Sequence, residues 1–124
     1  MLRILLVEDE PDIASVTAVV LEDAGYHVTV ASDGREGLDI ALQERPELII
    51  TDFMMPRLSG LEMIQRLRDA GFTGPIVLST SVPEDHLPHQ RRRHDAYLCK
   101  PYGMRQLLAT VEALRKSLGG AAAV

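Results

Sequence analysis

Three short, unbroken apolar runs constrain the fold of this chain most: Ile4-Leu5-Leu6-Val7, Leu48-Ile49-Ile50 and Ile76-Val77-Leu78. A strand with one face in water alternates apolar and polar residues, whereas an unbroken run suits a strand covered on both faces. Breakers bound these runs, Pro46 before the second and Gly74-Pro75 before the third. Between them the apolar period becomes helical. Ile13, Val16, Val20 and Ala24 recur at helical spacing and stop at Gly25. Leu38, Ala41 and Leu42 mark a second helix, and Leu61, Ile64 and Leu67 a third. Met104, Leu107, Leu108, Val111, Leu114 and Leu118 form the longest stripe, which Gly119-Gly120 is expected to close. Val28-Thr29-Val30 and Tyr97-Leu98-Cys99 are weaker strand candidates. Pro11, behind Glu8-Asp9-Glu10, suits a first helical turn, and Ser59-Gly60-Leu61-Glu62 has the form of a capping box.

Strict alternation of strand and helix implies an α/β fold with a parallel sheet and helices on both faces, joined by right-handed crossovers. One segment resists the pattern. Val82 to Asp95 stands where a helix is due, yet it holds one large apolar residue after Val82, namely Leu87. Pro88 inside a helix would cost ~3 kcal/mol. A short, irregular helix is expected there.

Composition narrows the class. The 124 residues fit one domain, expected over 1–118 with 119–124 a flexible tail, and leave no room for an effector domain of usual size. A net charge of −5, from 18 acidic and 13 basic residues, opposes direct nucleic-acid binding. No apolar run approaches the ~20 residues that cross a bilayer. The first run meets Glu8-Asp9 too soon for a signal peptide, whose apolar stretch runs ~7–15 residues. The single cysteine, Cys99, has no internal partner, so a reducing, cytoplasmic setting is expected. Cys99 itself reads as a buried, inert thiol.

In an open parallel sheet, ligands bind outside the carboxyl ends of the strands. The residues just after each run therefore specify a candidate site. The first run ends in Glu8-Asp9, the Leu48 run in Asp52, the Ile76 run in Ser79-Thr80-Ser81, and the last candidate strand in Lys100. Any one of these reads equally well as a solvated loop charge or a helix cap. Together they place three carboxylates, a hydroxyl and an ammonium on one edge. Clustered carboxylates need a cation, and a hard divalent ion such as Mg²⁺ prefers such oxygens. Lys100 adds a fixed charge, Thr80 a donor, and Asp52 a nucleophile that can form an aspartyl phosphate. Met54 and Met55 read as core or site wall, because a thioether is a poor ligand for a hard cation.

The chain resembles the receiver domain of two-component response regulators. The matching stretches are Ile4 to Glu10, Thr51 to Gly60 (Thr-Asp-Phe-Met-Met-Pro-Arg-Leu-Ser-Gly), Pro75 to Ser81 and Asp95 to Tyr102. The resemblance implies a flavodoxin-like, doubly wound five-stranded sheet of order 2-1-3-4-5. It implies that Asp52 accepts a phosphoryl group from a sensor histidine kinase or phosphotransfer protein. Mg²⁺ (or Mn²⁺) would be held by Glu8, Asp9, Asp52 and the backbone carbonyl of Met54. Lys100 would contact the phosphoryl oxygens, Thr80 would swing toward them, and Tyr97 would turn inward with it. The Lys100-Pro101 bond would be cis. Output would pass to a downstream protein through changed contacts, from a monomer or weak dimer, with phosphate as terminal signal or relay stop.

The departures from the family concentrate after Thr80. The usual fourth helix is replaced by the proline- and arginine-containing stretch, and Arg93-His94 precedes Asp95 where Gly-Ala is usual. Arg91, Arg92 and Arg93, beside His86, His89 and His94, read as a solvated loop or as a patch for an acidic partner. A histidine metal site there is the weaker reading. Met54 and Val82 would flank the phosphoryl group and slow its loss. Other functions fit less well. A phosphorylation-independent binding module would not need five intact site residues. An aspartate-nucleophile phosphatase would want an acid where Met54 stands, so no turnover enzyme is expected. A flavin site would want a phosphate-cradling loop after the first strand.

Overall fold

The computed structural model describes residues 2–87 and 93–123. Its elements are β1 (Arg3–Val7), α1 (Pro11–Asp23), β2 (His27–Ala31), α2 (Gly34–Glu44), β3 (Leu48–Thr51), α3 (Gly60–Asp69), β4 (Ile76–Thr80), β5 (Ala96–Cys99) and α4 (Met104–Ala123). The five strands pair in parallel in the order β2-β1-β3-β4-β5. This is the doubly wound architecture that the alternation implies.

The unbroken runs became the three central strands, and alternate residues along each enter different cores. Leu5, Val7, Ile49, Ile76 and Leu78 pack with Leu38 and Ala41 of α2 and with Leu61, Ile64 and Leu67 of α3. Ile4, Leu6, Leu48, Ile50 and Val77 pack on the other side with Leu21 of α1 and with Leu107 and Val111 of α4. Each fully buried side chain of this kind contributes about 1.5–3 kcal/mol. The edge strands β2 and β5 are only partly covered, which is why their sequence signal is weak.

Caps set the helix starts. Ser59 accepts from the Glu62 amide at 3.2 Å, and Asp33 accepts from the Glu36 amide at 2.8 Å. Pro11 opens α1 without a side-chain cap. Arg3 closes α2, donating to the carbonyls of Glu44 and Arg45 at 3.0 and 3.1 Å.

Several expectations are corrected. The residues of α1 that face the sheet are Ala14, Thr17 and Leu21, whereas Ile13 and Val16 are 40% and 55% exposed. Both sets recur at helical spacing, and this helix is apolar almost all round, so period alone does not choose the face. The stripe of α4 does not close at Gly119-Gly120. The helix runs to Ala123, where alanines favour it and each glycine costs only about 1 kcal/mol. Cys99 is exposed rather than buried, because it lies on the edge strand β5. Met54 is 67% exposed and takes no part in the core, while Met55 packs against it.

After β4 the described residues form a single 3-10 turn, Glu84–His86, followed by Leu87, which is 2% exposed in the α2–α3 core. His89, Arg91 and Arg92 lie outside the described residues. Arg93 pairs with Asp69 of α3 at 3.4 Å. Arg68 gathers the start of β5. It donates to the carbonyls of Phe72, Gly74 and Arg93, and pairs with Asp95 at 2.9 Å. Asp95 in turn accepts from the Ile76 amide at 2.8 Å.

Candidate functional site

Parallel strands in register bring their carboxyl ends to one edge, and the residues just beyond β1 and β3 meet there. Carboxylate oxygens of Glu8, Asp9 and Asp52 all lie within 4.8 Å of one another. Glu8 is buried, and Asp9 and Asp52 are half-buried. Lys100, just after β5, places its Nζ 2.6 Å from Glu8 Oε1 and 3.0 Å from Asp52 Oδ2. Burial pulls the lysine's affinity for its proton down, but hydrogen bonds to Glu8 and Asp52 outweigh that and hold its pKa above the ordinary value.

The backbone of Asp52 is clamped. Its amide donates to the Val7 carbonyl at 3.2 Å, and the Thr51 hydroxyl donates to its carbonyl at 2.9 Å. Carboxylate Oδ1 accepts from the Phe53 amide at 2.6 Å, which leaves Oδ2 toward Lys100. The N-terminus of α3 presses directly on this backbone. The Gly60 amide donates to the Phe53 carbonyl at 2.8 Å, and a Cβ on Gly60 would stand 1.8 Å from the Asp52 carbonyl oxygen. Only glycine allows that approach. The loop between β3 and α3 is also tied to α2, because Arg57, at a φ of 72°, pairs with Asp33 at 3.4 Å.

Glu8 is oriented by its own loop, Oε2 accepting from the Glu10 amide at 3.1 Å. Thr80 is buried, and its Oγ1 accepts from the Val82 amide at 3.3 Å. Tyr97 is half-buried against the α2–α3 core and donates its hydroxyl to the Val82 carbonyl. Burial, with Cys99, Glu84 and Asp85 nearby, pushes its pKa up to about 12. The Lys100-Pro101 peptide bond is cis.

The structure thus gathers Glu8, Asp9, Asp52 and Lys100 into one cluster. Thr80 and Tyr97 meet at Val82 instead of touching it. Sequence reasoning missed Gly60, although it ends the Thr51 to Gly60 stretch, and Tyr102, whose hydroxyl accepts from Ser79 at 3.2 Å. It also missed a pairing of His94 with Glu84 at 3.5 Å.

The donor set fits a hard divalent cation. Three carboxylates offer oxygen ligands only, and Mg²⁺ tolerates an incomplete protein shell because it keeps several waters. One ammonium against three carboxylates leaves two negative charges for such an ion to balance. Among the described residues no other group of three acidic, histidine or cysteine side chains is placed to hold a metal. Nor is any helix among them long and apolar enough to cross a membrane.

Comparison with known proteins agrees with the fold and the cluster. The family model for the response regulator receiver domain matches residues 4–112. The chain is 39% identical over 121 residues to the transcriptional regulatory protein YkoG of Bacillus subtilis, covering 94% of this chain and 52% of that protein. It is likewise 39% identical over 118 residues to the alkaline phosphatase synthesis transcriptional regulatory protein PhoP of Bacillus subtilis, covering 93% and 49%. The chain therefore spans about half the length of these curated relatives. Among solved structures, the response regulator TrrA of Thermotoga maritima, in complex with Mg²⁺ and BeF, superposes with a TM-score of 0.85 at 31% identity. That match covers 92% of this chain and 99% of the other. With sheet order, acidic cluster and family model in agreement, the chain belongs to the response regulator receiver domain family.

Proposed function

We propose that this chain is a phosphoacceptor: Asp52 takes a phosphoryl group from a histidine of a sensor kinase or phosphotransfer protein, and the result is read through changed protein contacts. The single observation that carries this reading is the cluster in which Lys100 bridges Glu8 and Asp52 at 2.6 and 3.0 Å beside Asp9. In the transfer, a carboxylate oxygen of Asp52 forms a bond to phosphorus while the bond from phosphorus to the donor's ring nitrogen breaks. The electron pair of that bond stays on the imidazole. Such chemistry needs positioning and charge neutralisation above all. The clamp on the Asp52 backbone supplies the first, and Lys100, already fixed at the carboxylate, supplies part of the second. Glu8, Asp9 and Asp52 would hold Mg²⁺, which when bound neutralises charge on the phosphoryl oxygens. Thr80 would leave Val82 and donate its hydroxyl to the same oxygens.

Two further features support the reading. Exposed Ile13 and Val16 of α1, with Pro101, Tyr102 and Met104, border an apolar groove of about 520 Å³ that reaches Lys100. A partner presenting a histidine beside an apolar helix face would fit there. Met54, two residues after the acceptor, supplies no acid to speed hydrolysis, so the chain acts as a stoichiometric acceptor rather than a turnover enzyme.

The test is incubation with Mg²⁺ and a small phosphodonor, then intact-mass measurement of the wild type and Asp52→Asn. A phosphoryl mass gain in the wild type alone is expected. A gain in both, or in neither, refutes the assignment.

A further inference from the structure

Among the described residues after β4, four contacts bear on the position of residues 82–87. The Val82 amide donates to Thr80 Oγ1, and Tyr97 donates to the Val82 carbonyl. Leu87 is seated in the α2–α3 core. The fourth tie joins Glu84, first residue of the 3-10 turn, to His94, with Oε2 3.5 Å from Nε2. The His94 side chain is only 5% exposed, and its Nδ1 is buried with no hydrogen-bond partner.

We infer that the Glu84–His94 pair is a latch holding residues 82–87 in their resting arrangement, so that both are positioning residues for the switch at Thr80. The inference rests on the phosphoacceptor reading. Thr80 cannot turn toward Asp52 while its oxygen stays with the Val82 amide, so its movement frees Val82. Residues 82–87 then move only against the contacts that Tyr97 makes at the Val82 carbonyl and that Leu87 makes in the core. A full amphipathic helix would resist through its own ladder of hydrogen bonds and a broad apolar face. The described 3-10 turn has a shorter ladder: His86 donates to Pro83 at 2.9 Å and Leu87 to Glu84 at 3.2 Å. The burial of Leu87 and the Glu84–His94 pair therefore add to the resistance.

The latch is also built to be weak. Its carboxylate is half-exposed, and burying a ring nitrogen without a partner opposes the closed form. Opening would return that nitrogen to water. A latch that closes only just favourably can be opened by the modest bias that a phosphoryl group supplies.

The test uses Glu84→Ala, His94→Asn and the double variant of the full chain. Without metal or phosphodonor, the amides of His86 and Leu87 should exchange with deuterium about two- to fivefold faster in each single variant, the range for one half-exposed pair. The double variant should be no faster than either, because both changes break one interaction. Amides of β1 should be unaffected. With Mg²⁺ and beryllofluoride as the phosphoryl stand-in, apparent affinity should tighten by the same factor of about two to five. Exchange unchanged in both single variants, or additive effects in the double, overturns the latch. Faster exchange with unchanged beryllofluoride affinity overturns its coupling to Asp52. A wild type that takes no beryllofluoride overturns the phosphoacceptor reading, while the exchange arm still judges the latch on its own.

Discussion

Removing the charge of Asp52 should stabilise the metal-free protein, even though it deletes an ion pair. The geometry sets the size of the effect. Oxygens of Glu8 and Asp9 lie no more than 4.8 Å from an oxygen of Asp52. At that separation two unit charges repel by at least about 3 kcal/mol, with an effective dielectric constant near 20. Asp52→Asn relieves two such repulsions, about 7 kcal/mol together. It gives up one attraction, to Lys100 at 3.0 Å, worth about 5–6 kcal/mol on the same scale. The bond from the Phe53 amide to Oδ1 survives in the amide, so local geometry is kept. The balance favours the variant by about 1–2 kcal/mol, a rise in Tm on the order of 5 °C. Thermal unfolding followed by circular dichroism in a chelating buffer measures it. Millimolar Mg²⁺ should then raise the Tm of the wild type more than that of Asp52→Asn, because a ligand stabilises the state that binds it better. An Asp52→Asn protein less stable than the wild type in chelator would refute the reasoning, since the lysine would then outweigh the crowding of the acids.

Other perturbations probe the remaining parts. Gly60→Ala would drive a Cβ to 1.8 Å from the Asp52 carbonyl oxygen, so a loss of about 2–3 kcal/mol in urea unfolding is expected, together with loss of phosphoryl uptake. A stable, fully phosphorylated Gly60→Ala would contradict the clamp. Leu87→Ala should cost about 2–3 kcal/mol, as for a buried leucine, whereas a solvated loop residue would change stability by less than about 0.5 kcal/mol. Tyr97 holds its proton more tightly when folded, so its contribution to stability is complete below pH 10 and is lost as pH rises through about 12. Absorbance titration of the tyrosines at alkaline pH should lose its highest step in Tyr97→Phe. Loss of a step near pH 10 instead would show that the phenol is not held.

The fold was legible because its strongest signals are its most buried parts. Unbroken runs such as Leu48-Ile49-Ile50 have few alternatives to a strand covered on both faces, and Ser59 and Pro11 announce helix starts chemically. The acidic cluster was legible too, since a parallel sheet brings strand ends together whatever their distance in sequence. What escaped depends on contacts that periodicity does not encode. On α1 the large residues Ile13 and Val16 face water while Ala14, Thr17 and Leu21 face the sheet, so size and polarity do not announce the buried face. Gly60 matters through the space that it leaves, which composition does not register. The Glu84–His94 pair joins two residues across a stretch whose sequence holds no repeating apolar pattern to be read.

The exposure of Cys99 has a practical side. The chain has one cysteine, and it is accessible. A thiol-directed fluorophore or spin probe would therefore attach at one position without mutagenesis. That position pairs across the sheet with Thr80 and immediately precedes Lys100. A label there would be carried on the strand neighbour of the side chain proposed to move. The same edge position that leaves the thiol uncovered gives the molecule a native attachment point for watching its own switching in real time.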